Sequence, residues 1–439
     1  MGILPKFLFS SLSLSLSLSL PLSAEPYYIN TTFFGQDLEF TRHDLFNGIS
    51  AELIANRKFA MPTEPFTDWP SEVQQLVEEG VVPRWVGIGS PTLDSPYYAM
   101  HDDLISGDVG SSIHCAANNS KECGIEQGSY FEGFDSGVGF GSSIILSKNM
   151  DYTLQLVVKG EASIKVFLSD ADAEEYLFSA TITSTSNWTT ISQTFTSPAT
   201  TNATLRISAL KSSPEWWLGS TSLTPASNTW KGMRIDVVDG LKALKNRGLL
   251  RWPGGCFAPF YRWKIGLLPP HERPPIETPP DNCAAVPGGI NAYTDGMMEN
   301  GIGVDDFMAL CERIGMVPAI TLRLSLGSEE EIEEAADLIE YLNGDANGTK
   351  WGRIRASRSR VEPFNVEHVY VGNEIDRQTR YPTYPNSKET IAAASSSEYA
   401  EMMSNMIPRI LQKSPTIKLK IFAVSANVEV SEGDESARK

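Results

Sequence analysis

Histidine is scarce, five in 439 residues and scattered, and the five cysteines show no ligand spacing either. Zinc or other metal chemistry is left without a donor set, so no metal site and no cofactor are expected. Basic residues are in the minority, 36 Lys and Arg against 54 Asp and Glu, for a formal net charge of −18. A field of that sign repels phosphate backbones and anionic lipid, which argues against nucleic acid and membrane surfaces as partners. Beyond residue 24 no run of apolar residues reaches the length of a bilayer span, so a soluble mature chain is expected. Length excludes a small scaffold held by disulfides: at roughly 150 residues per domain the chain allows about three units with a large core.

What is present starts with an address. Met1 to Ala24 carries a single lysine, a Ser-Leu alternation too short to cross a membrane, and small residues at Ser23 and Ala24. That is the pattern of a secretory signal cleaved near Ala24, and it makes secretion the expected fate. Asn-x-Ser/Thr sequons at Asn30, Asn118, Asn187, Asn202 and Asn347 are then candidate glycan acceptors. In an oxidising compartment Cys115 and Cys123, in a polar Gly- and Asn-rich stretch, are a plausible local disulfide. Cys311 sits on an apolar helix face as a small hydrophobe, and Cys283 in a loop. Nine Trp, 14 Tyr and 19 Phe in an acidic chain suit a neutral ligand with polar and apolar faces, such as a sugar, though aromatics also fill cores.

From Trp230 onward helical periodicity alternates with short β runs. Ile235, Val238, Leu241 and Leu244 share a helical face, with Gly248 as the stop, and Leu249-Leu-Arg-Trp follows. Val304, Phe307, Leu310, Cys311 and Ile314 form the next stripe, closed by Gly315 before Val317 to Leu322. Ser328 and Glu331 read as a capping box for a helix buried along Ile332, Ala335, Ile339 and Leu342. A basic loop leads to His368-Val-Tyr-Val, and a Ser-capped helix around Tyr399 to Ile410, bent at Pro408, leads to Leu419 to Val424. Repeated β-then-α order predicts an α/β fold with a parallel sheet, and chemistry-bearing residues directly after the strands favour a (β/α)8 TIM barrel over an open sheet. Residues 60–228 lose the helical period and show short alternating segments, the signature of an antiparallel β-sandwich or jelly roll. Since the β-like run Tyr27 to Phe34 precedes that block, the module reads as an insert between the first barrel strand and its helix.

Three places could carry chemistry. Arg251-Trp-Pro-Gly-Gly-Cys puts two glycines at a strand end, where the backbone turns sharply or approaches a ligand. Gly372-Asn-Glu374 follows a buried strand, so Glu374 at a barrel mouth can serve as proton donor while Asn373 bonds a sugar hydroxyl. Glu39 ends the first strand and faces the same mouth; Asp376 faces it too or caps a helix. The Glu329 to Glu334 cluster reads as a solvated helix face. Trp188, Trp216 and Trp217 are either core residues or a stacking platform for sugar rings.

Taken in order, Leu250-Arg-Trp-Pro-Gly-Gly-Cys-Phe, Tyr261-Arg-Trp-Lys, Pro270-His-Glu-Arg-Pro, Asp306-Phe-Met-Ala-Leu-Cys-Glu and Glu362-Pro-Phe-Asn-Val through Gly372-Asn-Glu374 resemble the retaining α-L-arabinofuranosidases of glycoside hydrolase family 51. Gly48-Ile-Ser-Ala-Glu-Leu-Ile-Ala-Asn-Arg-Lys-Phe resembles the start of that family's longer forms, which carry a carbohydrate-binding-module-like sandwich. The resemblance implies a signal over 1–24, a first barrel strand within 25–59, the insert over 60–228, a partial barrel over 229–427 and a polar tail over 428–439. It implies Glu374 as general acid/base, Asn373 as the holder of the 2-hydroxyl, and Glu39, Arg251 and Cys256 as walls of the arabinofuranose subsite, Cys256 being no nucleophile. The implied substrate is an arabinofuranosyl-containing polysaccharide, hydrolysed with retention. Retention requires a second carboxylate about 5 Å away, in the family a glutamate on a later strand. The chain leaves the pattern after Asn427 with about five of eight strands, so an incomplete barrel without the nucleophile is expected. A related glycosidase acting on β-glucan or xylan, and a non-catalytic carbohydrate-binding protein, are the alternatives.

Overall fold

The computed structural model describes residues 35–38, 48–60, 80–82, 84–94, 110–117, 121–128, 144–171, 175–245, 247–255, 257–270, 272–277, 297–298, 300–375, 394–415 and 420–422. Short runs rich in Val, Ile and Leu form one parallel sheet: β1 (Gly35–Asp37), β2 (Leu249–Trp252), β3 (Val317–Leu322), β4 (His368–Val371) and β5 (Lys420–Phe422), neighbours in chain order. Side chains alternate across such strands. Leu250, Trp252, Ile320, Leu322, Val369 and Val371 enter the core shared with the helices, whereas Arg251, Thr321 and Tyr370 occupy the alternate positions. Among the described residues the sheet is open and does not close into a barrel. The expected strand at Tyr27 to Phe34 lies outside the described residues, and β1 follows it directly.

The covering helices are α1 (Ile235–Ala243), α2 (Val304–Ile314), α3 (Glu329–Asn343), α4 (Lys350–Ser357) and α5 (Ser396–Lys413). Val304, Phe307, Leu310, Cys311 and Ile314 bury the α2 stripe, and Gly315, at φ 79°, closes it in the left-handed conformation. Three readings need correction. In α1 only Val238 is buried, and Leu244 lies past the helix end, 74% exposed. The expected basic loop is in part α4, whose Arg355 is fully buried and donates to the carbonyls of Tyr341, Gly344, Arg360 and Val361. The Glu329 to Glu334 cluster is solvated only in part: Glu329 and Glu330 are exposed, but Glu331 is 2% and Glu334 7% exposed. Ser328 Oγ accepts from the Glu331 N–H at 3.2 Å, but the Glu331 carboxylate turns away from its capping box. It accepts from the backbone N–H of Ser325, Leu326 and Gly327 at 3.2, 2.9 and 2.9 Å, donors that the β3–α3 turn leaves unpaired. Glu334 meets Arg323 at 2.8 Å.

Between β1 and β2 the chain builds a sandwich of two antiparallel sheets. One orders Tyr176–Thr183, Ser163–Asp170, Thr201–Ala209, Cys123–Gln127, Trp85–Ile88 and Gly80–Val82, with Ile144–Leu146 also on Thr201–Ala209. The other orders Thr189–Thr196, Asp151–Gly160, Trp216–Pro225, Ser112–Cys115 and Thr92–Asp94. Inward residues such as Ile125, Leu156, Val166, Leu205 and Leu218 form its own core. The Cys115–Cys123 disulfide joins the two sheets.

A strap over residues 48–60 ties sandwich to parallel domain. Gln127 bonds both backbone groups of Ala55 at 2.9 Å, and the Trp85 indole donates to Asn56 O. From the same strap, buried Lys58 donates to the carbonyls of Pro270 and Arg273, and Arg57 to Pro270 O at 2.6 Å. Glu52 accepts from Ser222 Oγ and from the N–H groups of Ile54 and Leu223. Burial outweighs the nearby Arg57 and these bonds, and raises the Glu52 carboxyl above its ordinary value.

Two measurements check this account. Removing the buried acceptor in Glu331→Ala should cost about 3 kcal/mol in urea unfolding, since three backbone donors lose their partner; a loss below about 1 kcal/mol contradicts it. Folding binds the Glu52 proton more tightly, so its ionisation opposes folding and stability falls as pH rises from the ordinary 4.5 toward the raised value. Glu52→Gln should therefore gain on the unsubstituted protein over that window in a urea–pH series, and a constant difference speaks against a buried, raised Glu52.

Candidate active site

Parallel strands in chain order deliver their carboxyl ends to one rim, and the loops there are held from several sides. After β2, Gly254 takes φ 103°, open to glycine at little cost, and Phe257, Ala258 and Pro259 are buried. Trp252 stacks on Phe307 with centroids 5.2 Å apart and meets Tyr261 edge-on at 4.8 Å. After β3, Arg323 donates to Pro259 O at 3.2 Å and pairs with Glu334, joining the β2 and β3 loops. Burial alone would lower the Arg323 guanidinium, but the charges of Glu334 and Glu331 outweigh it and hold it protonated. After β4, Gly372 N–H donates to Leu322 O, and Glu374 takes φ 46°, a left-handed conformation that costs a non-glycine residue roughly 1 kcal/mol or more. Such a position persists where surrounding structure over-determines it, here between buried Asn373 and Ile375.

Arg251 is the centre of this rim. Nε donates to Thr321 Oγ1 at 3.0 Å, Nη2 to Asn373 Oδ1 at 2.7 Å and Nη1 to Asp37 Oδ2 at 3.3 Å. Its guanidinium lies 4.6 Å from the centroid of the Tyr370 ring. One side chain thus links β1, β2, β3 and the end of β4. With Oδ1 engaged, the Asn373 amide has a defined orientation and presents its two Nδ2 donors as the remaining polar function. Glu374, half-buried, is the next residue in the chain. A donor pair beside a carboxylate can hold a hydroxyl oxygen and exchange a proton with a neighbouring oxygen.

Of the residues singled out from sequence, Arg251 and Asn373 are in contact and Glu374 adjoins them. Glu39, Cys256 and Asp376 lie outside the described residues. Thr321, Tyr370 and Asp37 were missed, although they are legible by phase: each stands on the same alternate face as Arg251, with Asp37 paired to Arg251 and Thr321 to Tyr370 in register. Of the three tryptophans, Trp216 is 1% exposed and belongs to the sandwich core.

Comparison with known proteins agrees with this architecture. Residues 240–428 match the family model described as alpha-L-arabinofuranosidase 1 domain, and residues 117–213 one described as carbohydrate binding domain. Alpha-L-arabinofuranosidase 1 of Arabidopsis thaliana is 26% identical over 375 residues, covering 80% of this chain and 50% of that protein. An intracellular exo-alpha-L-arabinofuranosidase of Bacteroides ovatus is 32% identical over 182 residues, covering 38% of this chain and 31% of its own. An arabinose-bound GH51 α-L-arabinofuranosidase structure superposes with a TM-score of 0.66 at 18% identity, over 93% of this chain and 62% of that one, and so shares the fold. The chain spans about half the length of the Arabidopsis relative.

Arg251→Met, which keeps most of the stem, should cost about 2 kcal/mol in urea unfolding because Asn373 Oδ1 and Thr321 Oγ1 lose a charged donor; an unchanged midpoint contradicts the linking role. The chain is thus similar to an α-L-arabinofuranosidase domain over residues 240–428 and to a carbohydrate-binding domain over residues 117–213.

Proposed function

We propose that the protein is a retaining glycosidase that removes α-L-arabinofuranosyl residues from the non-reducing ends of arabinose-containing polysaccharides. The observation that carries the reading is the Arg251–Asn373 hydrogen bond directly beside Glu374 at the carboxyl end of β4. In this reading Asn373 Nδ2 donates to the sugar 2-hydroxyl. Glu374 gives its proton to the leaving glycosidic oxygen and, as the carboxylate, later takes one from the attacking water. Glu39 and Cys256 complete the subsite wall on the strength of the family resemblance. The second carboxylate that retention requires is not assigned to a residue of this chain. The five parallel strands in chain order are read as part of a (β/α)8 barrel, the ordering that such a barrel requires.

Export belongs to the same proposal. Its supports are the Met1 to Ala24 segment, the exposed sequon residues Asn187, Asn202 and Asn347, and a disulfide of the kind kept in oxidising compartments.

Hydrolysis of an aryl α-L-arabinofuranoside tests the activity, on the protein as its mature transcript encodes it. Glu374→Gln should lower kcat/KM by about 10²- to 10⁴-fold, the usual contribution of general acid–base catalysis, while the fold persists. An undiminished rate, or cleavage of an aryl β-glucoside with no arabinofuranoside turnover, overturns the reading.

A further inference from the structure

The rim occupies the carboxyl ends of the parallel strands, and the opposite end of the same sheet holds a cavity that the proposed chemistry does not use. It has a volume of about 430 Å³ and lies where α3 and α5 end and β4 begins. Asp345, Glu367 and Ser414 contribute polar groups to its wall, and Val366 and Pro415 an apolar part. Two other wall residues are already spent. Lys413 Nζ lies 2.8 Å from Glu333 and 3.2 Å from Asp337, and Asn343 exchanges two hydrogen bonds with the backbone of Val366 at 2.9 and 2.8 Å.

What the wall still offers is acceptors. Asp345 Oδ1 takes the N–H groups of Asn347 and Gly348 at 2.8 and 2.6 Å, while Oδ2 and the exposed Glu367 carboxylate have no bonded partner among the described residues. Ser414 is 6% exposed, and its Oγ has no hydrogen-bond partner. Buried hydroxyls are nearly always bonded, so an orphan in a cavity wall marks a place where a ligand or water completes the structure. An occupant suited to this wall donates hydrogen bonds, carries no negative charge and has an apolar face.

The sequence puts an attachment point for such a group at the cavity's edge. Asn347-Gly348-Thr349 is an Asn-x-Thr sequon, and Asp345 and Thr349, two residues to either side of Asn347, both line the cavity. Two residues span at most about 7.6 Å of backbone, so a sugar on Asn347 starts within a ring or two of the wall. The backbone of the turn is held: Arg353 Nη1 donates to Asn347 O at 3.1 Å and Thr349 Oγ1 to Asp345 O at 3.0 Å. Asn347 itself is exposed, and its side-chain amide makes no hydrogen bond among the described residues. The other two described sequon asparagines differ. Asn187 lies in an exposed bend and Asn202 on a strand opposite Ile145, and neither borders the cavity.

We propose that Asn347 is an N-glycosylation site whose first sugar folds into this cavity and becomes part of the folded structure. The hydroxyls and acetamido N–H of an N-acetylhexosamine donate to Asp345 and Glu367 and reach Ser414 Oγ once it rotates about χ1, while the C–H face covers Val366 and Pro415. Transfer forms a bond from Asn347 Nδ2 to C1 of the sugar. It breaks that carbon's bond to a lipid diphosphate, the oligosaccharide donor, which leaves with the amide proton. Tethering supplies the affinity that a wall without aromatic rings lacks, because attachment replaces a bimolecular encounter with a high effective concentration. The inference rests on the reading of the chain as exported.

The full chain, first 24 residues included, produced in insect cells, tests it by peptide mass spectrometry and by timed digestion with a peptide N-glycosidase. Asn347 should be occupied, and its glycan released at least tenfold more slowly from the folded protein than from the denatured protein. Glu367→Arg, at an exposed position, sets a long side chain in the cavity and should remove most of that difference. Asn347→Gln should lower the urea midpoint of the insect-cell protein and leave that of unglycosylated bacterial protein unchanged, whereas a role of the asparagine itself would lower both. Equal release from folded and denatured protein overturns the inference, as do release indifferent to Glu367→Arg and a midpoint lowered equally in both hosts. Glycan at Asn187 or Asn202 with none at Asn347 removes this site and leaves export standing. Glycan at none of the three removes the export reading and the inference with it.

Discussion

Arg251 is the constraint on which the rim depends. A guanidinium with donors in a fixed fork bonds a hydroxyl, an amide oxygen and a carboxylate from three different segments at 3.0, 2.7 and 3.3 Å, and lies on an aromatic ring. Lysine offers one point charge and could not reproduce that geometry. Since Asp37 ends β1, Thr321 lies within β3 and Asn373 follows β4, the register of the parallel sheet and the orientation of the Asn373 amide support each other. Glu374 inherits its place from that arrangement and from its own left-handed backbone.

Buried charge recurs elsewhere with the same logic. Glu331, Arg355 and Lys58 are almost fully enclosed, and each is satisfied mainly by backbone groups that no helix or strand could pair. They fix loops rather than add hydrophobic area: Glu331 the turn after β3, Arg355 the passage from α3 through α4, and Lys58 the strap that joins sandwich to parallel domain. Losing any one leaves several backbone groups without their partner, so each side chain holds its own segment in place.

Much of the fold was legible because it follows from periodicity. The β2, β3 and β4 runs, the α2 and α3 stripes and the long alternating strands of the sandwich lie where pattern predicts them. Gly372-Asn-Glu374 was legible as a candidate site because polar residues directly after a buried strand have a known position in such a sheet. What was missed depends on tertiary pairing. A capping-box spacing at Ser328 and Glu331 predicts a local bond, but the three N–H groups of the preceding turn attract the carboxylate more strongly. Arg355 reads as one more charge in a basic stretch until the carbonyls of α3 and the following loop are folded around it. Trp217 reads as a platform until His114 and Lys159, distant in sequence, arrive on its ring.

The central claim is that the Arg251–Asn373–Glu374 rim is a furanose site. A crystal structure of the protein soaked with L-arabinose tests it most directly. The account predicts a furanose ring at the carboxyl ends of β2 to β4, a hydroxyl within hydrogen-bond distance of Asn373 Nδ2, and the Glu374 carboxylate facing its anomeric oxygen. A sugar bound only elsewhere, with the rim occupied by water alone, would contradict it.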